Sequence, residues 1–298
     1  MSDILQYLEG AEPEQPIVPK HQWCAVACKN GAFFDATKSL FNVYNSLINR
    51  SLGFSEELIC SANEPYMWLE HYSIIIQSVR ALFGNDAEFP SADDLRRKIE
   101  IFISKNHYPS FSLIRLIVWQ SEDNMTIEWA MLQEKMQQSP YDFRRTSLVL
   151  SVFSDSYTPR IPNPWIKMPS IIGCYAERWI EKKAIDGACI VNYEERIIDT
   201  TAGNLYLLID KDFVGVNPLY GAHYDALTSI VERIVPRIGL TVRYVDGMTA
   251  KMFDQADEAL VVSATSGVRC VVGIDNRRYS KQVTEKIAML VSDYFIGA

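Results

Sequence analysis

A stiff connector that carries one lysine constrains this chain more than any other segment does. Pro162, Pro164 and Pro169 surround Lys167 in the segment IPNPWIKMPS. Because proline fixes φ and lacks an N–H, these prolines disfavour regular hydrogen-bonded structure around the lysine. The sequence therefore predicts that Lys167 lies on a rigid linker rather than within a helix or strand.

The segment after this connector predicts one helix and one β-hairpin. Apolar residues recur at helical spacing over residues 171–183, and a turn at Gly187 ends the pattern. Residues 188–192 are typical of a buried strand, and residues 196–200 of its hairpin partner. Asp199 stands at the end of that partner, so the hairpin brings a carboxylate back along the chain.

Composition narrows the class of protein. The chain has 298 residues, of which 48% are hydrophobic, enough apolar side chains for one large or two moderate cores. No apolar run reaches the roughly 18–20 residues of a membrane span, and the N-terminus is acidic, so we expect a cytoplasmic protein. The net charge of -8 argues against nucleic acid as a partner and favours small molecules or protein surfaces.

Cysteine and histidine usage predicts no metal site. The six cysteines are scattered, and the pair Cys24 and Cys28 has too weak a pattern to indicate a metal. The four histidines lie far apart in the sequence, so no zinc constellation is visible. We expect one of them, His71, to pack at the surface of its domain.

Patterning divides the chain into two regions. Helices over residues 66–83 and 91–105, with strands over residues 111–120, 125–133 and 147–152, predict a small α+β domain. The predicted division is a small N-terminal domain at residues 1–154, a linker at 155–168 and a large C-terminal α/β domain at 169–298.

Two segments of the second region have the properties of an anion-binding site. A helix over residues 225–238 would present unpaired N–H groups and a partial positive charge at Leu227 and Thr228. Thr265 and Ser266 belong to a short loop, Ala-Thr-Ser-Gly, that follows a predicted core strand. Asp225, at the start of the helix, would oppose a bound anion.

The order of these features resembles that of the fold-type IV pyridoxal phosphate (PLP) enzymes, or class IV aminotransferases. The family pattern is a lysine, a helix, a hairpin with a carboxylate and a polar-x-x-Asn-Leu-aromatic segment. Here it is formed by Lys167, Asp199 and Asn204-Leu205-Tyr206. The family includes branched-chain and D-amino-acid aminotransferases and 4-amino-4-deoxychorismate lyase.

The resemblance implies a fold, a cofactor and a set of site residues. The fold would be D-amino-acid aminotransferase-like, with the active site in the cleft between two domains and a second copy completing a homodimer. Lys167 would be catalytic and would bind PLP covalently, and Asp199 would hold the pyridine nitrogen protonated. The remaining cofactor-binding residues would cradle the phosphate; they are Leu227, Thr228, Thr265 and Ser266.

The chain departs from the family pattern at two positions. Ile74 stands where much of the family has an arginine that grips the cofactor phosphate, and an isoleucine can neither donate hydrogen bonds nor offset charge. Asp199 stands where most members have glutamate. Arg80 and Arg269 are candidates to replace the missing arginine.

Three functions remain open at this stage. The first is a PLP-dependent aminotransferase that acts on a small amino acid and a 2-oxo acid. The second is a 4-amino-4-deoxychorismate lyase, which the compact loop at residues 264–271 fits at least as well. The third, motivated by Ile74, Ser229 and Asp225, is a relative that has lost PLP and serves as a binding or structural protein.

Overall fold

The computed structural model describes residues 26–35, 53–62, 64–106, 110–121, 126–142, 147–157, 163–167 and 171–296. Cys24 and two prolines of the connector, Pro162 and Pro169, lie outside these ranges. No helix within them has the length and apolar character that a membrane crossing requires.

Six strands of the described residues form a first sheet, in which all neighbouring strands are antiparallel. The elements of this region are β1 Val26–Lys29, β2 Ala32–Asp35, β3 Gly53–Ser61, β4 Glu64–Pro65, α1 Trp68–Phe83, α2 Ala92–Lys105, β5 Phe111–Gln120 and β6 Ile127–Met136. The strand order is β2-β1-β6-β5-β3-β4.

Local sequence explains the ends of these elements. Asn30 and Gly31 have φ values of 49° and 87°, the left-handed conformation that the predicted hairpin turn between β1 and β2 requires. Ser91 caps α2 by accepting a hydrogen bond from the Asp94 N–H at 3.2 Å, as the sequence predicts. The apolar faces of α1 and α2 pack on the sheet in one buried cluster that includes Phe54 and Ile99.

A second, mixed sheet contains nine strands of the described residues. Its region comprises β7 Leu148–Tyr157, α3 Ile171–Lys183, β8 Gly187–Val191, β9 Ile197–Thr200, β10 Asn204–Ile209, β11 Asp212–Val216, α4 Ala226–Ile234, β12 Thr241–Val245, α5 Ala250–Gln255, β13 Glu258–Ser263, β14 Gly267–Ile274, β15 Arg277–Arg278 and α6 Gln282–Ile296. The order is β12-β11-β10-β13-β14-β7-β8-β9, with β15 paired to β14.

Strand β7 belongs to a different sheet from the one expected. The sequence analysis grouped residues 147–152 with the small domain, but β7 pairs in parallel with β14 and β8 of the second sheet. Leu148 and Leu150 are fully buried there, in a cluster with Cys189 and Ile274. An apolar strand pattern indicates burial without naming the sheet that buries it. The placement of the domain boundaries at residues 154 and 168 stays a prediction.

Helix α4 is shorter than the periodicity predicts. The predicted helix runs over residues 225–238, whereas α4 ends at Ile234 and a 3-10 turn, Val235–Ile238, follows. Pro236 explains the change, because its missing N–H and its ring are incompatible with a continued α-helix.

The two sheets share a buried apolar cluster. Ile59 of β3 and Ile74 of α1 pack in the same cluster as Leu227 of α4 and Val262 of β13. The connector runs along this junction, which places Lys167 between elements of both sheets.

Candidate active site

Hydrogen bonds from three elements fix the backbone of the connector over residues 163–167. The Ser55 N–H of β3 donates to the Lys167 carbonyl at 3.1 Å, and the Tyr224 N–H donates to the Pro164 carbonyl at 2.9 Å. The Ser78 hydroxyl of α1 donates to the Trp165 carbonyl at 2.8 Å. The lysine is thus held at a defined position, as a rigid linker predicts.

The Lys167 amine lies between two carboxylates. Its Nζ atom is 3.1 Å from Glu56 Oε2 and 4.0 Å from Asp225 Oδ2, and the side chain keeps 26% of its surface exposed. Burial by itself lowers the pKa of Lys167, but the charges of Glu56 and Asp225 more than offset burial, so the pKa is raised. The amine is therefore held as an ammonium that solvent and small ligands can reach.

Glu56 is a fully buried carboxylate that sequence analysis missed. His71 Nδ1 lies 2.7 Å from Glu56 Oε1, and both side chains are 0% exposed. Burial raises the pKa of Glu56, but Lys167 and the hydrogen bond from His71 outweigh burial, so the pKa is lowered. The expectation that His71 packs at the surface is wrong, because its ring orients this internal carboxylate.

A signal for Glu56 was present in the strand pattern. Side chains two residues apart point to the same face of a strand, and Phe54, Glu56 and Leu58 of β3 are all fully buried. A carboxylate in an otherwise apolar alternating row predicts a buried charge with a partner, and such charges are often functional.

A second buried pair joins Asp199 to His223. The Thr200 N–H donates to Asp199 Oδ1 at 2.8 Å, and His223 Nδ1 lies 3.0 Å from Asp199 Oδ2. Burial lowers the pKa of His223, but the Asp199 carboxylate outweighs burial and raises it. The charges of Lys167 and Glu56 also act on the pKa of His223, so the two clusters influence each other electrostatically.

The segment that carries His223 is tied to the start of α4. Asn204 Nδ2 donates to the His223 carbonyl at 2.9 Å and to Thr228 Oγ1 at 3.2 Å. Asp199, His223 and Thr228 border a cavity of about 10 Å³, which is room for about one water molecule. Nothing in the sequence near His223 pointed to this arrangement, which depends on the turn after β11.

The structure brings together the two segments predicted to bind an anion. The Leu227 N–H at the start of α4 and the Ala264 N–H at the end of β13 both donate to Asp225 Oδ1, at 2.9 and 3.0 Å. Asp225 Oδ2 also accepts from the Ala264 N–H, at 3.1 Å. The N–H groups thus converge as predicted, but an internal carboxylate already accepts their hydrogen bonds.

Side chains of the predicted anion site show a mixed picture. Thr265 Oγ1 lies 3.0 Å from Ser263 Oγ, and the Thr228 side chain is nearly fully buried. Ser266 Oγ is buried and has no hydrogen-bond partner within the ranges that the structure describes. Leu227 contributes its N–H only, because its side chain lies in the core.

No arginine compensates at position 74 itself. Ile74 is 0% exposed and packs in the apolar cluster that contains Ala226 and Ala264. Arg80, one proposed substitute, lies in the exposed last turn of α1. Arg269, the other, lies on β14 opposite Val261, partly exposed.

In the described residues no group of three or more histidine, cysteine, aspartate or glutamate side chains could hold a metal ion. The chemistry of the site therefore depends on one lysine, the carboxylates Glu56, Asp199 and Asp225, and two histidines. Such a set can hold and move protons and can offer an amine to a carbonyl compound.

Comparisons with known proteins agree on one family. A model of the family described as amino-transferase class IV matches residues 54–274. A comparison with curated proteins gives no match.

Solved structures that resemble the chain share its fold. The branched-chain aminotransferase from Thermoproteus uzoniensis with norvaline is 16% identical, with a TM-score of 0.80, and the match covers 92% of this chain and 95% of that one. The holo, PLP form of the enzyme from Thermobaculum terrenum is 13% identical, with the same coverage and a TM-score of 0.77. The branched-chain aminotransferase of T.th., with pyridoxamine 5'-phosphate, is 18% identical, again with that coverage, at 0.79. The predicted D-amino-acid aminotransferase-like, fold-type IV architecture is confirmed.

Proposed function

This chain belongs to the class IV aminotransferase family, a family of enzymes, and we propose that it transfers an amino group between a small amino acid and a 2-oxo acid with PLP as its cofactor. One observation carries the proposal: the Lys167 amine is rigidly positioned, partly exposed and set against the buried carboxylate Glu56. PLP, when bound, supplies an aldehyde for this amine and a ring that accepts electrons. The PLP and pyridoxamine 5'-phosphate forms of two similar structures support this choice of cofactor.

Lys167 would act through its proton. An ammonium cannot attack a carbonyl, so the Nζ atom must first lose a proton, and Glu56 Oε2 at 3.1 Å lies within the range of direct transfer. The hydrogen bond between His71 and the other oxygen of Glu56 keeps the carboxylate oriented toward the amine. Lys167 is therefore the proposed acid and base, and Glu56 the group that sets its protonation.

Asp199 would stabilise positive charge on a pyridine nitrogen. Its two oxygens already accept from Thr200 N–H and contact His223 Nδ1, and each oxygen keeps a further lone pair for another donor. Because these contacts fix the carboxylate, it is preorganised for a cationic ring and needs little rearrangement.

The residues present fit one end of PLP and not the other. Lys167 and Asp199 offer the amine and the carboxylate that the aldehyde and the ring nitrogen require. At the predicted phosphate end, Asp225 occupies the N–H groups of Leu227 and Ala264, and Ile74 brings no charge. The proposal therefore concerns Lys167 chemistry, and the phosphate contacts by Leu227, Thr228, Thr265 and Ser266 remain predictions.

The proposal is tested by trapping the ligand on the protein. PLP is added to the purified chain, borohydride reduces any imine, and peptide mass spectrometry locates the modified lysine. We expect modification at Lys167 in the parent chain and none in Lys167→Ala, with Lys251→Ala as a surface control. Equal, diffuse labelling of surface lysines in the parent chain and the Lys167→Ala variant would contradict the proposal.

A 4-amino-4-deoxychorismate lyase is the second candidate. The tight turn between β13 and β14, in which Ser263 pairs directly with Gly267, leaves a compact loop beside the site and favours this activity. Release of pyruvate with 4-aminobenzoate would identify the lyase, and amino-acid-dependent conversion of a 2-oxo acid would identify the aminotransferase. The homodimer implied by the resemblance also stays a prediction, which light scattering of the purified protein tests.

A further inference from the structure

Asp225 makes a set of contacts that a helix cap alone does not require. A capping aspartate accepts one or two N–H groups from the first turn of its own helix. Asp225 does this with Leu227, and it also accepts the Ala264 N–H from another strand, through both carboxylate oxygens. The carboxylate thus joins the start of α4 to the end of β13, residues 39 positions apart.

The position of this carboxylate is one that suits an anion. The start of a helix carries partial positive charge and unpaired N–H groups. Lys167 adds a full positive charge 4.0 Å from Asp225 Oδ2. Two backbone donors and a cation therefore surround a single carboxylate supplied by the chain itself.

The surroundings offer a second anion little compensation. Ile74 lies fully buried in the same apolar cluster as Ala226 and Ala264, the residues adjoining these donors. A phosphate placed beside Asp225 would meet a like charge and would compete for N–H groups that are already hydrogen-bonded.

We propose, building on the proposed function, that Asp225 takes the place of the cofactor phosphate and that the site selects the phosphate-free aldehyde, pyridoxal, over PLP. The 5'-hydroxymethyl group of pyridoxal can donate a hydrogen bond to the Asp225 carboxylate, whereas a phosphate dianion cannot. The amine of Lys167 and the carboxylate of Asp199 would serve either form. Asp225 is thus a specificity-determining residue that discriminates at the 5' end of the ligand.

The test compares four proteins with two ligands. Asp225→Asn keeps a good N-cap oxygen for Leu227 while removing the charge, so the helix start should persist. Asp293→Asn removes one exposed carboxylate on α6 and is the matched control, and Lys167→Ala is the blank. Each protein is titrated with pyridoxal and with PLP, followed by the absorbance of the lysine adduct. In that adduct, Nζ and the aldehyde carbon form a C=N bond with loss of one water.

Borohydride reduction and peptide mass spectrometry then assign the adduct to Lys167. We expect the parent chain and Asp293→Asn to bind pyridoxal at least as tightly as PLP. Asp225→Asn should shift the ratio of the two dissociation constants toward PLP by at least about tenfold, because a like charge is removed. Circular dichroism of Asp225→Asn confirms that the fold is retained.

The outcomes separate the two proposals. Tight PLP binding at Lys167 in the parent chain, with a ratio unchanged in Asp225→Asn, would overturn the role of Asp225 and leave the proposed function standing. Absence of an adduct at Lys167 with both ligands, in the parent chain and in Asp225→Asn, would overturn the proposed function and this inference with it.

Discussion

Neutralising Glu56 provides a direct test of the buried charge cluster. In Glu56→Gln, the Lys167 ammonium loses a countercharge whose oxygens lie 3.1 and 3.3 Å away. At this separation, an effective dielectric constant of about 20 gives an attraction on the order of 4–5 kcal/mol. The amide still accepts from His71 and fills the same volume, so packing is preserved.

The expected loss of stability follows from the exposure of the two groups. Removing one partner of a buried ion pair costs about 3–5 kcal/mol. Lys167 keeps 26% of its side chain exposed and also has Asp225 at 4.0 Å, so we expect the free energy of unfolding to fall by about 2–4 kcal/mol. Urea denaturation of the parent chain and the variant at pH 7 measures this difference.

The neighbouring residue supplies the control. Glu57 lies on the same strand and pairs with Arg115 at 2.6 Å, but the two side chains are 33% and 26% exposed. Glu57→Gln should cost about 1 kcal/mol or less, as partly solvated pairs do. If the two variants lost equal stability, the assignment of an uncompensated charge at Lys167 would be refuted.

The pH dependence and a double variant sharpen the test. Because the pKa of Glu56 is lowered in the folded state, its contribution is present above the unfolded-state pKa and disappears as the pH falls through the folded-state pKa. The difference between the parent chain and Glu56→Gln should therefore vanish in acid. Glu56→Gln combined with Lys167→Met should be more stable than Glu56→Gln alone, since no unpaired charge remains.

Three further predictions concern other parts of the molecule. Asp199→Asn should lower the pKa of His223, which the carboxylate raises against the opposing effect of burial; NMR titration of the histidine would refute this if the pKa stayed unchanged. With that partner present, His223 stabilises the fold below its unfolded-state pKa, and this contribution is lost as the pH rises through the folded-state value. Gly267→Ala should cost about 2–4 kcal/mol in urea denaturation, because the residue has φ +73° and a Cβ would collide with the Pro140 carbonyl, whereas Gly84→Ala, with open space, should cost about 1 kcal/mol. Cys174 is exposed and should react with a thiol reagent in the folded protein, whereas Cys189 is buried, its pKa is raised, and it should react only after unfolding; equal native reactivity in mass spectrometry would contradict this.

Much of the fold was predictable because its signals are local. Helical periodicity placed α1 and α6 within two residues of their observed bounds, and turn residues marked the hairpin between β8 and β9. The order of the lysine, hairpin and loop motifs led to the correct fold type. Helix α4 ended early for an equally local reason, since Pro236 was visible in the sequence.

The sequence by itself therefore determined the secondary structure, the fold family and the identity of the amine, because each depends on residues close together in the chain. Tertiary structure alone decided that β7 joins the second sheet and that His71 is buried. It also decided that Glu56 meets Lys167, 111 positions away, and that Asp225 accepts N–H groups from two elements. Such contacts arise from the packing of one sheet against the other, and the charge or hydrogen-bonding capacity of a residue does not specify which distant residue will satisfy it.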